Sequence, residues 1–219
     1  MKFKCVIFDL DGTLVNTIAD IADSMNRALE VHGFPPVPHP EYIKLVGWGI
    51  QRLAYLTLPP TERSEPIVEA IAADATRFYT EKPLVHSLPY PGIPELVAEL
   101  RRKKIKTAVL TNKPHPVALL VVEGLFPPGS FNIIQGNRAG LPRKPNPRST
   151  WDILMELDST PRETIFMGDS EIDIETAHAA ACHALGVNWG FRPRSVLEAA
   201  GADRIIDKPE ELLPLIHKK

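Results

Sequence analysis

Cysteine is scarce in this sequence: Cys5 and Cys182 are the only two in 219 residues. They are too few and too far apart for a disulfide framework or a zinc site, and a reducing cytoplasm is the expected location. Long hydrophobic runs are also missing. The apolar stretch Cys5 to Phe8 is cut by Asp9, and no segment approaches the ~18 apolar residues of a membrane span. Neither a signal peptide nor a transmembrane helix is therefore expected. Charge of one sign does not dominate: 25 Lys and Arg against 27 Asp and Glu give a net charge of -2. With no overall positive field to gather polyanions, nucleic acid is not an expected partner, and nor is a membrane. A content of 44% hydrophobic and 24% charged residues excludes disorder and fibrous repeats. What stands out instead is proline, with 22 residues, about twice the average usage of roughly 5%.

The segment Lys4 to Asp9 is a short apolar run ending in a carboxylate, which suits a strand buried on both faces of a parallel sheet. Similar runs recur at Thr107–Leu110, Phe131–Ile134, Thr164–Met167, Leu185–Val187 and Arg204–Ile206. Helical patterns lie between them: Pro94–Lys103, Pro116–Glu123 with a stop at Gly124, Pro147–Leu157, Ile172–Cys182, Ser195–Ala200 and Glu210–Ile216. This alternation predicts an α/β fold with a Rossmann-like, doubly wound parallel sheet. Residues 18–82 break it. Ile18, Ile21, Ala22, Met25 and Leu29 trace one helix face, and two further helical stretches follow, Glu41–Leu56 interrupted by Gly47-Trp48-Gly49, and Ser64–Tyr79. The expected organisation is an α/β core of residues 1–16 and 84–219 with an inserted all-helical domain of residues 17–83.

Ligands of an open α/β sheet bind beyond the carboxyl ends of its strands. The residues that follow the expected strands form one chemical set: Asp9 and Asp11; Thr111, Asn112 and Lys113; Lys144; then Gly168, Asp169, Ser170 and Asp173. Carboxylates, a hydroxyl and a lysine at one sheet edge suit a hard divalent cation holding a phosphoryl group. In Asp9-Leu-Asp11-Gly12-Thr13, alternate residues of an extended segment point the same way, so two carboxylates address one reacting centre while Gly12 permits a sharp turn. One acid can be the nucleophile and the other a proton donor and acceptor.

With these residues the chain resembles the haloacid dehalogenase superfamily. Asp9-X-Asp11-Gly12-Thr13 looks like its first motif, Thr111 its second, Lys144 its third and Gly168-Asp169-Ser170-X-X-Asp173 its fourth. The resemblance implies that Asp9 is the nucleophile and Asp11 the general acid and base. It implies Mg²⁺ held by Asp9, the main-chain carbonyl of Asp11 and Asp169. Gly12, Thr111, Asn112 and Lys144 would then bind the phosphoryl group, with Asp173 and Ser170 supporting. The insert resembles that superfamily's helical cap. Leu45 to Leu53, Thr111-Asn-Lys-Pro114 and Val187 to Arg194 look like the phosphoglycolate phosphatase branch, which makes the Gly47-Trp48-Gly49 loop the candidate for reading the substrate.

The expected activity is hydrolysis of a small phosphorylated metabolite, 2-phosphoglycolate first, by a monomer or homodimer. The core motifs handle only the phosphoryl group, so a phosphosugar mutase, a nucleotide or pyrophosphate phosphatase, and a non-catalytic binding protein stay open alternatives. Asn16 stands where these proteins often carry an acid, and Ala181 where the last motif's helix often ends in Gly. Arg192 and Arg194 read as a solvated loop, and Lys113 reads equally as a phosphate neutraliser or as an exposed residue opening a helix. The seven histidines show no metal-ligand spacing and read as surface or packing residues.

Overall fold

In the computed structural model, which describes residues 3–216, the chain opens with strand β1 (Cys5–Phe8), all four of whose residues are fully buried. His217 and the extreme ends of the expected core lie outside the described residues. After the turn at Gly12 comes β2 (Val15–Asn16), then four helices: α1 (Ile18–Val31), α2 (His39–Leu45), α3 (Ile50–Thr57) and α4 (Glu65–Glu81). The chain returns through β3 (Leu88–Pro89), which pairs antiparallel with β2, Val15 opposite Pro89 and Asn16 opposite Leu88. This ribbon, too short to leave a hydrophobic period, joins the two crossings of the chain. Buried Asp20 on α1 fixes the return, because its carboxylate accepts the main-chain N–H groups of His86 (3.0 Å) and Ser87 (2.8 Å) as well as the Ser87 hydroxyl.

The remaining elements alternate: α5 (Ile93–Arg102), β4 (Lys106–Pro114), α6 (His115–Leu125), β5 (Ile133–Asn137), α7 (Arg148–Glu156), β6 (Thr164–Gly168), α8 (Glu171–Ala179), β7 (His183–Val187), α9 (Arg194–Ala199) and β8 (Arg204–Ile206). Six strands pair in parallel in the order β5-β4-β1-β6-β7-β8, the doubly wound sheet expected from the sequence. Odd and even positions of β1 explain its burial on two sides. Val6 and Phe8 join one core with α5, α6 and the helical block, whereas Cys5 and Ile7 join a second core with Ile153 of α7, Ile174 of α8 and Leu197 of α9. Each such side chain contributes roughly 1.5–3 kcal/mol by leaving water. Successive connections run to opposite sides of β1, which makes its carboxyl end, between β4 and β6, the switch point where a crevice opens.

Several elements differ from the sequence reading, β4 among them, which runs on to Pro114 beyond the expected Leu110. Gly124 does not stop α6, which runs on to Leu125; a Cβ there would lie 2.3 Å from Leu84 Cδ1, so this glycine serves packing. The stretch expected as a helix over Glu210–Ile216 is a 3₁₀ turn at Pro209–Leu215 with Pro214 inside it. The third expected run, Phe131–Ile134, is displaced to Ile133–Asn137, and α8 stops at Ala179 rather than Cys182. Beyond α8, Ala181 has φ 58, the left-handed region that glycine occupies without cost.

Candidate active site

The carboxyl ends of β1, β4 and β6 and the loop after β5 deliver the expected residues to one cavity, lined on the sheet side by Asp9, Asp11, Thr111, Lys113, Lys144 and Asp169. The helical block closes the other side with Ile21, Gly47, Gly49, Leu53 and Tyr79. Asp9 follows β1 directly and its main-chain N–H bonds the Met167 carbonyl at 2.9 Å, which extends the sheet by one residue. Its Oδ1 lies 2.8 Å from Lys144 Nζ in a direction unsuited to a hydrogen bond. Asp11 stands two residues on, with Oδ1 accepting from Thr17 Oγ1 (2.6 Å) and Lys113 Nζ (3.0 Å). Neither bond uses Oδ2.

Lys144 is the hub. It is 4% exposed, and its ammonium also lies 2.7 Å from Asp173 Oδ1, while the second oxygen of Asp173 accepts from the Ser170 hydroxyl and N–H at the start of α8. Asp173 therefore both opens a helix and orients a lysine. Asp169 accepts from Thr13 Oγ1 (3.1 Å) and from the Phe191 N–H (2.7 Å). Buried Thr111 accepts from the Lys113 N–H at 3.2 Å, which leaves its own hydroxyl proton to donate into the cavity.

Glycines set the close approach. Gly12 has φ 87, and a Cβ there would fall 2.3 Å from Asp169 Oδ2. Gly190, in the loop after β7, enters the sequence reading only as part of a family-like stretch. A Cβ on it would fall 2.2 Å from Asp169 Cβ and 2.5 Å from the Gly12 carbonyl. Gly190→Ala should thus displace Asp169 or the Gly12 turn, costing about 1–3 kcal/mol of stability by overpacking and about a hundredfold in kcat/KM by misplacement. Thermal unfolding and steady-state assay check both; a Gly190→Ala enzyme of normal activity would refute the crowding argument.

Burial raises the Asp9 carboxyl to about 7; Lys144 opposes this, and Asp173 and Asp11 add to it. Burial likewise pushes Asp169 well above the ordinary carboxylate range, reinforced by Asp173 and Asp9. Burial works against the Lys144 ammonium, but Asp173 and Asp9 outweigh it and its pKa is raised. Four carboxylates (Asp9, Asp11, Asp169, Asp173) meet two ammonium groups (Lys113, Lys144) here, and the nearby Arg192 is matched by Glu171. With all four carboxylates ionised the cluster would carry two unmatched negative charges, the charge of one divalent cation; without such an ion, burial favours the protonated forms of Asp9 and Asp169. Oxygens of Asp9, Asp169 and Asp173 lie within 4.8 Å of one another, so the donor set fits a hard metal.

Four readings from sequence change or narrow. Lys113 is neither exposed nor at a helix start: it is the penultimate residue of β4, is 7% exposed, and packs 4.2 Å over the Tyr79 ring beside Asp11. Arg192 is not a solvated residue, since it bonds Glu171 at 3.3 Å, the Val46 carbonyl at 2.8 Å and the Ile43 carbonyl. In the Gly47-Trp48-Gly49 loop the two glycines line the cavity, whereas Trp48 is 41% exposed. The Asn112 amide is committed to main-chain groups of Gly47 and Lys144, which leaves only its main chain for a phosphoryl oxygen. Arg194 keeps its expected solvated place, paired with exposed Asp207.

The family pattern described as haloacid dehalogenase-like hydrolase matches residues 6–187, the span that carries this crevice. The chain belongs to that family. Within it, the chain falls in the branch that resembles phosphoglycolate phosphatases. It is 33% identical to the phosphoglycolate phosphatase of Chromobacterium violaceum, covering 97% of this chain and 96% of that protein. The N-acetylmuramic acid 6-phosphate phosphatase of Pseudomonas aeruginosa is 29% identical over 100% of this chain and 96% of that protein. Among solved structures, a protein of Lactobacillus delbrueckii subsp. bulgaricus, provisionally assigned as a phosphoglycolate phosphatase, superposes with a TM-score of 0.91 at 31% identity, covering 100% of both chains.

Proposed function

We propose that this protein is a Mg²⁺-dependent phosphomonoesterase of the cytoplasm, with 2-phosphoglycolate as its first candidate substrate. Residues 17–83 act as a cap over a core of residues 1–16 and 84–219. The observation that carries the reading is the pairing of Asp9 and Asp11 at the end of β1, opposite Lys144 and Thr111 and beside Asp169. Asp9, the Asp11 carbonyl and Asp169 would hold Mg²⁺, which supplies charge neutralisation at the phosphoryl oxygens.

The chain's own groups do the rest. Thr111 and Lys144 bind phosphoryl oxygens. The free carboxylate oxygen of Asp9 attacks phosphorus in line, so an Asp9–phosphorus bond forms as the ester P–O bond breaks. Asp11 gives the proton on Oδ2 to the departing alkoxide. It then takes a proton from the water that attacks the aspartyl phosphate, which releases inorganic phosphate and frees Asp9. Polar partners on Oδ1 hold Asp11 in the orientation both transfers need. The cap's apolar wall excludes water until the alcohol leaves.

A sugar phosphate is the second reading, supported by the muramic acid phosphate relative and by the likeness to CbbY of Rhodobacter sphaeroides. That protein was solved with xylulose-1,5-bisphosphate, at 25% identity and a TM-score of 0.81, covering 98% of this chain and 100% of that one. A panel of phosphoglycolate, sugar phosphates, nucleotides and pyrophosphate, assayed with and without Mg²⁺, tests both. The expected result is Mg²⁺-dependent release of phosphate with about a hundredfold preference for one small ester. Activity that survives chelation, or no hydrolysis of any phosphomonoester, would overturn the proposal. Monomer or homodimer, working without nucleic acid or membrane, completes the expectation, and sedimentation measures the oligomeric state.

A further inference from the structure

Asn112 spends both side-chain donors and an acceptor site of its carbonyl on two pieces of backbone. Its Oδ1 accepts the Lys144 N–H at 2.9 Å, and its Nδ2 donates to the Lys144 carbonyl at 3.2 Å and to the Gly47 carbonyl at 2.9 Å. The first two bonds grip one residue from both sides, as a neighbouring strand would. The third reaches into the loop between α2 and α3. The same loop crosses Asn112 a second time at Gly49, where a Cβ would come within 3.2 Å of the Asn112 carbonyl and the backbone has φ 87, so both the tight approach and the left-handed backbone favour glycine there. Asn112 is 6% exposed, and loss of its partners would leave buried polar groups unpaired.

Other core residues hold the loop or its flanking helices without this double engagement. Arg143 bonds Gln51 of α3, and Arg192 bonds the carbonyls of Ile43 in α2 and Val46 at the start of the loop. Of these three residues, Asn112 alone bonds the Lys144 main chain from both sides.

We infer that Asn112 is a positioning residue that ties the cap to the phosphate-binding lysine: when the Gly47–Gly49 loop is seated, Lys144 is held at the phosphoryl position, and phosphoryl binding at Lys144 in turn favours the seated loop. This rests on the phosphatase reading of the site. Reciprocity follows from linkage, because a ligand that prefers one of two coupled arrangements must be preferred by it.

Trp48 lies in the coupled loop and is partly exposed, which provides a reporter. Its acrylamide quenching, taken as the difference from a Trp48→Phe protein, would be measured with and without orthovanadate plus Mg²⁺, and vanadate binding would be measured separately by calorimetry. In the wild type, vanadate should reduce Trp48 quenching about twofold or more. Asn112→Ala should abolish that response and weaken vanadate about tenfold, with kcat lowered as well as KM raised. Arg143→Ala, which removes only a cap contact, should keep the response. Asn112→Asp retains the size and the acceptor for the Lys144 N–H but loses both donors, and it serves if the alanine protein does not fold; it too should lose the response. An undiminished response in a folded Asn112 variant that still binds vanadate overturns the inference. Failure of the wild type to bind vanadate would instead strike the phosphatase reading.

Discussion

Asp9→Asn should lower turnover by roughly 10⁴-fold or more, because the amide is no nucleophile and no neighbouring carboxylate can replace it. Asp11 is held by Thr17 and Lys113, Asp173 by Lys144 and Ser170, and Asp169 by Thr13 and the Phe191 N–H. The same substitution should stabilise the metal-free protein. Burial raises Asp9 to about 7 in the folded chain, whereas an unfolded aspartate titrates near ~3.9. A carboxyl with a raised folded value supports the fold below its unfolded pKa, and that support is lost as the pH rises through the folded one. At pH 8 the ionised Asp9 therefore works against folding by roughly 2–4 kcal/mol, and asparagine removes the charge while Lys144 keeps Asp173. Melting at pH 8 without metal should be higher for Asp9→Asn by several degrees, and Mg²⁺ should raise the wild type more than the variant. An Asp9→Asn protein that melts lower, or that turns over at a normal rate, would contradict the assignment of Asp9.

The site is readable from sequence where chemistry follows a strand end, and unreadable where it depends on a distant partner. Asp9, Asp11, Thr111, Asp169 and Asp173 sit beyond apolar runs, so the parallel-sheet rule gathers them before any coordinate is known. Lys144 is gathered the same way, although its loop carries no period. Burial of Lys113 depends on Tyr79 of α4, whose approach is decided by packing of the helical block against the core. The partners of Arg192 and Asn112 are main-chain carbonyls, which leave no mark in side-chain composition.

Fold legibility divides along similar lines. The doubly wound parallel sheet follows from the alternation of strands and helices, whereas its strand order is read only from the structure. The two-residue strands β2 and β3 are below the length at which a period shows. Gly124 reads as a stop signal by composition yet has a packing role, and Ala181 takes a left-handed conformation that alanine does not advertise.

Lys144→Met should cost both stability and catalysis. The ammonium lies between Asp9 and Asp173, at 2.8 and 2.7 Å, with the three side chains only 1–12% exposed, so removing it leaves two buried carboxylates facing each other. Breaking a buried pair by deleting one partner typically costs about 3–5 kcal/mol, which for a chain of this size is a fall in Tm of roughly 10 °C. The pH dependence gives the cause away. The lysine's raised folded value means that its contribution is complete below the unfolded lysine pKa near ~10.4, and therefore throughout pH 5–8. Without it, Asp9 loses the neighbour that holds its pKa down and rises further above about 7. Lowering the pH from 8 to 5 protonates it, relieves the repulsion and narrows the gap to the wild type. A methionine also removes one positive charge from the phosphoryl group, so turnover should fall by about 10²–10³-fold even where the variant is fully folded. Thermal melts at pH 5 and 8, set beside turnover in saturating Mg²⁺, separate the two effects. A deficit in Tm that stays constant with pH would mean that Lys144 supports the fold by packing rather than by pairing the carboxylates.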